Sequence, residues 1–508
     1  MIENYLLPII KDLKELELGV QINNYWYRFF LLFVVADKPA RALILNMKLA
    51  SSYYGCLKCD IKGESVVYGN GKHIIFNNNR ISADRTKENY QRNVITSNQY
   101  KKPSKGIKGR CLLSVLKYFE PIRCTNIDLM HSIYLGVCKM LFFYWFVAPM
   151  SNKFSLKSKL NELNKKLSEM KPPNFIQQAP RKLEDYKNWR SHEFMNFFLF
   201  FALPLFQNIM DENYFKHLVL FVTSLEMLIS KRIKRSDLPI ISANLKNYVI
   251  QAEILYDKHF INSGVHELNH LVKCTIEIGP LNIICCFQFE ELNRKVTRFI
   301  KGQDLVGDEF IKSWTVSKNL ALHISKMYSD DDENKIIIFI KEHFALRSSN
   351  LKKKNTGFNV LKMGQDSKLE NTKLEIATEK IGFLLRINSG QEIYFFKSIK
   401  INNCVYTTTE VNNKFSNCCI KYNNQVGFIE NIFSCNESVY FFVKKLTFLN
   451  YPFNFDDNAS KSHFAYYYIS NNYFLIEHLY FSCLKKLFYF KQNNFCLVSE
   501  LVTNHLFS

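Results

Sequence analysis

Two half-sites for a metal ion lie roughly 200 residues apart, and no other feature of this sequence restricts its folding as much. The first is Cys56-x-x-Cys59, in YYGCLKCD; the second is His266-x-x-x-His270, in VHELNHL. CxxC puts two thiolates on one side of a tight turn, close enough to share a tetrahedral zinc. Alone it is half a site, and a redox pair or two buried thiols compete with that reading. HxxxH places two imidazoles one turn apart on one helical face, although paired histidines on a polar face satisfy the same spacing. Taken together, a Cys2His2 site is the more economical account. Such a site pins the chain near residue 57 to the chain near residue 268. With all four positions filled by protein, it leaves no room for a reactive water and is structural.

The segments around these half-sites differ in character. Residues 4–18 fit an amphipathic helix. YRFFLLFVVAD (27–37) is a continuous apolar run ending in Asp37, the pattern of a strand buried on both faces of a mixed or parallel sheet. Pro39 then starts a helix over 40–50. Residues 62–110, rich in Asn, Lys, Gly and Ser, read as an extended polar excursion. A second ordered stretch, 111–150, contains DLMHSIYLGVCKMLFFYWF (128–146), whose apolar content suits a buried helix. Residues 151–275 are helix-rich and end in the HxxxH, and 276–345 contain a helix over FQFEELNRKVTRFI. A lysine-rich linker follows over 346–375. Beyond it, short runs rich in Ile, Val, Tyr and Phe (IYFFKSIKI, CVYTTTEV, QVGFIENIF, ESVYFFVKKLTFL) predict a small β-rich domain over 376–508.

Three further groups carry possible chemistry. Asp37 ends the apolar run, where a carboxylate either serves a site or caps the following helix. Asp128 and His131 stand one turn apart on the predicted buried helix, as a hydrogen-bonded pair or as neighbours of a site. Glu290 falls in the first turn of its helix, where an acidic group suits the dipole and a metal-ligand role is the alternative. Lys and Arg outnumber Asp and Glu 67 to 46, a formal charge of +21, which favours a polyanionic partner over a merely solvated surface. The basic stretches KRIKR (231–235) and LKKK (351–354) read as nuclear-import signals or as solvated faces. The apolar runs 140–150 and 194–206 fall short of the roughly 20 residues a bilayer demands, so no membrane role is expected. Fourteen cysteines with one CxxC pair and no signal peptide point to a reducing compartment.

In sequence order, ADKPARALILNMK, YYGCLKC, DLMHSIYLGV, WRSHEFMNFFLFFALP, VHELNHL and GPLNIICCFQFEELN resemble the catalytic region of CACTA-type cut-and-paste DNA transposases, relatives of the Chapaev group. The resemblance covers residues 1 to about 305. It implies an α/β fold: an incomplete RNase H-like core with a large α-helical insertion, followed by the small β-rich domain. It implies Asp37, in an Asp-x-Pro-Ala-Arg segment, as the second catalytic carboxylate and Glu290 as the closing one. Cys56, Cys59, His266 and His270 would form the zinc clamp, and DNA would be the partner, with homo-oligomers possible. Magnesium or manganese is expected between the carboxylates. The family's first catalytic Asp has no match here, since Asp12 lies in the first helix. The expectation is therefore an N-terminally truncated transposase-derived protein, inactive alone, or a co-opted DNA- or protein-binding protein.

Overall fold

In the computed structural model of the protein, the described residues are 2–77, 82–327 apart from Gln177, Ile284 and Gln303, 360–363, and the segments 394–401, 404–411, 415–435, 438–453, 463–492 and 495–499. Most of the predicted linker, and LKKK (351–354), lie outside them. A helical part is followed by a β-rich part, in the order the sequence predicts.

Helix α1 (Ile2–Leu18) leads into a small hairpin, β1 (Val20–Ile22) with β2 (Tyr25–Tyr27). Helix α2 (Lys38–Ile44) is short, with Pro39 in its first turn and the Asp37 carboxylate accepting the Ala40 amide at 2.8 Å. Between them the apolar run departs from its predicted form. Tyr27 ends the β1–β2 hairpin opposite Val20, and the Phe29 amide donates to Leu16 O (3.1 Å). Beyond these the run makes a single parallel bridge, Val34 with Thr125, by Val34 N to Cys124 O (2.8 Å) and Asn126 N to Val34 O (3.2 Å). Phe29, Leu32 and Phe33 are exposed. Leu31 and Val34 pack against the core, so the run is covered on one side only and is not the fully buried strand the sequence predicts.

Residues 62–110 also differ from a simple extended excursion. They hold a hairpin, β3 (Glu64–Tyr68) with β4 (Gly71–Ile75), and helix α3 (Lys87–Tyr100). Thr86 caps α3 reciprocally with Asn89, a capping box that starts a helix in otherwise polar sequence. The expected buried helix is α4 (Leu129–Phe146). Its first ten residues wind as a wide π-type helix before tightening to α geometry. It is long and apolar enough to cross a membrane by length and composition, but 67% of it is buried inside this protein.

The other helices wrap α4: α5 (Leu160–Glu169), α6 (Ser191–Phe206), α7 (Glu212–Leu228) and α8 (Leu238–Leu255). The core between them is aromatic. Phe142 of α4 packs against Trp189, Phe194 and Phe197 at ring separations of 5.0–5.4 Å. Trp145 meets Phe206 at 5.1 Å and donates its indole N–H to Tyr256 at 3.1 Å. Next come α9 (Ser263–Glu267), a tight 3-10 turn over Leu268–His270, α10 (Leu271–Ile278), α11 (Phe287–Thr297) and α12 (Val306–Met327).

The β-rich part contains β5 (Val360–Met363), β6 (Tyr394–Phe396), β7 (Ser398–Ile401), β8 (Cys404–Thr407), β9 (Cys419–Tyr422), β10 (Gln425–Cys435), β11 (Ser438–Asn450), β12 (Phe464–Glu477), β13 (Lys485–Lys486), β14 (Phe488–Gln492) and β15 (Phe495–Ser499). The larger sheet runs β13-β9-β10-β11-β12-β15-β14, with β6 pairing β10, and the smaller β5-β7-β8. Among the described residues, every strand pairing in them is antiparallel. This part docks on the helices through Phe488 against Phe201 (5.1 Å) and Phe453 against Phe215 (5.8 Å), and through a buried pair between His463 and Glu226.

Candidate metal centre and carboxylate cluster

The two half-sites meet. One donor atom from each of Cys56, Cys59, His266 and His270 lies within 4.8 Å of the other three, and all four residues are buried. Cys59 Sγ stands 3.2 Å from His266 Nε2, which stands 3.2 Å from His270 Nε2. Bonds of about 2.0–2.1 Å to nitrogen in a tetrahedron put two nitrogens about 3.4 Å apart, so the donors already sit near ligand spacing. The set could hold a metal ion such as zinc. It presents no open side, with exposures of 1–8%.

Local structure produces this convergence. Gly55 precedes the first cysteine where a Cβ would fall 2.4 Å from Leu49 O, so only glycine lets the two stretches of backbone touch. Arg85 holds the cysteine turn by donating to the carbonyls of Cys56 (3.1 Å) and Tyr54 (3.0 Å). On the other side, Asn262 caps α9, and the 3-10 turn brings His270 back beside His266. Phe76, at the end of the β3–β4 hairpin, stacks on His266 at 5.2 Å and closes the site from outside.

The electrostatics of the metal-free cluster suit a cation. Burial alone would push Cys56 up, yet the Cys59 thiol donating to it and the positive imidazoles beside it hold it well below its usual value. Cys59, donating its proton to Cys56 and buried, is pushed far up. His270 is driven down by burial but raised overall by the Cys56 thiolate. The thiolate at Cys56 is a ready ligand, and a divalent ion would take the place of the protons now shared among the four donors.

Two buried ion pairs flank the donors, and sequence reading did not find them. Arg41 of the Asp-x-Pro-Ala-Arg segment meets Glu267, the residue after His266, at 2.5 Å; Lys38 approaches Glu267 at 3.4 Å. Lys58, inside the CxxC, is wholly buried, pairs with Glu277 of α10 at 2.7 Å and donates to Ile122 O at 2.8 Å. The signal was present: each pair has a charged residue lodged inside a metal-ligand motif. Pairing across more than 200 residues leaves no local period to read, however.

The remaining predicted residues gather beside this junction. Asp128 is the N-cap of α4; its Oδ2 accepts the His131 amide (2.9 Å) and His131 Nδ1 (2.6 Å), and its Oδ1 accepts the Cys286 amide (2.8 Å). His131 Nε2 lies 3.3 Å from Glu290 Oε1. His131 is held above its usual pKa first by the hydrogen bond to Asp128, then by the charges of Asp128, Glu290 and Asp37. Burial pushes Asp128 up, but the bonds from His131 and the Cys286 amide outweigh it and keep the carboxylate low. The charge of Asp37 also reaches Cys286, which is raised chiefly by burial and by Asp128. Folding therefore brings Asp128, His131 and Glu290 into contact, with Asp37 near enough for its charge to act on His131. Asp37 also serves as the cap of α2. Cys286 was not singled out from the sequence, where it is one of two adjacent cysteines in an apolar run.

No protein-family model matches this chain, and none of the curated proteins compared with it matches either.

Proposed function

We propose that this chain is a transposase-derived DNA-binding protein, resembling the catalytic region of CACTA-type cut-and-paste transposases, with zinc as the ion of its Cys2His2 centre. One observation carries the reading: Glu290 lies 3.3 Å from His131, on which the charge of Asp37 also acts, while a closed four-donor centre joins the CxxC and HxxxH segments. In this reading residues 27–37 and 124–126 belong to an incomplete RNase H-like core, zinc fastens the helical insertion to it, and the excess of 21 positive charges meets the phosphate backbone. Cells would use the protein in the nucleus, with KRIKR (231–235) an exposed basic loop before α8.

Asp37 and Glu290 supply hard oxygen donors suited to magnesium or manganese; ions held there would provide Lewis acidity for phosphodiester chemistry. Only two of the three carboxylates that the resemblance calls for have a match. Asp37 spends one lone pair on its cap. The chain by itself is thus expected to bind DNA without cutting it, which also describes the alternative, a co-opted non-catalytic binding protein.

The test is fluorescence anisotropy on duplex DNA across a salt series, with a magnesium or manganese cleavage assay on the same samples. Binding that weakens steeply with salt is expected, without cleavage that responds to Glu290→Gln. Folded, metal-loaded protein that ignores duplex DNA at low salt would sink the DNA reading. Glu290-dependent cleavage would show that a third carboxylate is supplied after all.

A further inference from the structure

We propose that Asp128, His131 and Cys286 form a second metal site, selective for a thiophilic divalent cation of the zinc type and open where the Cys2His2 centre is closed. One donor atom from each lies within 4.8 Å of the other two. Asp128 and Cys286 are buried, at 1% and 8% exposure, while the His131 side chain keeps 30%. The site has a dry floor and a wet mouth. Three protein donors with an open side is the arrangement in which zinc retains a position for water or another ligand.

The donor set decides the class of ion. A thiolate and an imidazole rank zinc, cobalt or cadmium above magnesium, which prefers oxygen and keeps its waters. This site therefore does something other than Asp37 and Glu290, whose carboxylates alone favour a hard ion. Yet Glu290 Oε1 is 3.3 Å from His131 Nε2, so an ion here would stand at the edge of the carboxylate cluster and alter its charge.

Binding is balanced in protons. The Cys286 thiol releases its proton to solvent, and so does His131 Nδ1, which gives up the proton it shares with Asp128. The ring then coordinates through Nδ1 as a neutral imidazole with its Nε2–H still facing Glu290. The Asp128–His131 contact of 2.6 Å must open to about 3.4 Å, the edge of a tetrahedron with bonds near 2.0–2.1 Å. The partly exposed His131 ring has room to tilt outward. Of the roughly four acceptor positions on the Asp128 carboxylate, the two amide bonds persist, and the positions that take the His131 ring and the Cys286 thiol are freed when those groups lose their protons.

The full chain, purified with zinc in its closed centre, would be titrated with cobalt(II) alone and followed by absorption, with zinc release measured in the same cuvette. The expected result is one further equivalent of cobalt, tetrahedral d–d bands, a thiolate-to-cobalt charge-transfer band and no zinc release. Cys286→Ser should abolish the charge-transfer band, and His131→Ala should weaken cobalt binding. If Cys286→Ser does not fold, the half-exposed His131→Ala carries the comparison. Absence of the band in the wild-type chain, cobalt entering only as zinc leaves, or a response unchanged in the folded variants would overturn the proposal. The measurement uses no DNA, so it stands or falls separately from the DNA reading.

Discussion

The Glu267→Gln substitution tests the junction without touching a metal donor. Glutamine preserves the volume of the side chain and removes only its charge. Glu267 is 1% exposed and faces Arg41 at 2.5 Å and Lys38 at 3.4 Å. Arg41 is itself 3% exposed, and its Nη1 has no partner. Lys38 retains 22% side-chain exposure and can turn to water, so the cost falls on Arg41, left charged in a dry place. Breaking one side of such a pair costs about 3–5 kcal/mol, a large share of the roughly 5–15 kcal/mol that holds a domain folded. At about 2–4 °C per kcal/mol for a large domain, thermal unfolding should move down by roughly 6–20 °C. The assay is circular dichroism on zinc-loaded protein, run as a double-mutant cycle with Arg41→Met. The double variant should recover about 1–3 kcal/mol relative to the sum of the single changes. The Glu267 carboxyl would be raised by burial, but the charges of Lys38 and Arg41 hold it below its ordinary value. With the folded pKa below the unfolded one, its contribution is present above about pH 4.3 and is lost as pH falls through the folded value. Additive single effects, or a loss under about 1 kcal/mol for Glu267→Gln, would refute a buried pair that both segments depend on.

Cys56→Ser and His270→Ala should each lower zinc from about one per chain and open the protein to limited proteolysis, since ligand binding and folding are linked at structural zinc sites; soluble, protease-resistant protein without zinc counts against the clamp. His217 stacks on Tyr248 at a ring separation of 4.0 Å, and burial drives its pKa down to about 4. Because the unfolded chain binds that proton first, stability should fall by about 3 kcal/mol as pH drops from about 6.5 to 4. His217→Phe should flatten this dependence in urea titrations, and an unchanged pH profile would exclude His217 as its source. Phe142→Ala, at the centre of the aromatic core, should cost about 3–5 kcal/mol by the same measurement; a loss under about 1 kcal/mol would show that neighbouring rings collapse into the space.

What the sequence revealed was short in range. CxxC and HxxxH were legible because ligand spacing is a local property, and each half-site invited the other by being incomplete. The strands after residue 394 were legible from their β-branched and aromatic runs between Asn, Ser and Gly. The run 27–37 misled for a physical reason: continuous apolarity says that a strand is suited to burial, not that neighbours are present to bury it. Phe29, Leu32 and Phe33 are exposed on that account. The polar stretch 62–110 misled in the opposite direction. Its helix rests on a reciprocal cap and on a few anchors such as Tyr90, whose hydroxyl accepts the Cys111 amide at 3.0 Å, rather than on an apolar stripe. Asp128 and His131 were visible as a pair, but their connection to Cys286 and Glu290 exists only after folding.

The buried charges explain why the junction is more than a metal clip. A metal ion alone fixes four side chains and leaves the chain free to pivot about them. Here Arg41 comes four residues after Asp37 and Lys58 lies between the two cysteines, and each reaches a carboxylate on the segment that bears the histidines. Three separate links thus join the same two stretches of backbone, one through the metal donors and two through ion pairs. Pairs of this kind contribute little net stability once desolvation is counted, but they penalise misalignment heavily, because a shifted register strands a charge in a dry interior. The junction therefore resists rotation as well as separation. Asp37 lies directly at the start of the helix that Arg41 anchors, and Glu290 follows the histidine segment by one turn and a short helix. Orientation at this junction is thus transmitted to the start of α2, where Asp37 is the cap, and to α10, which bears Glu277.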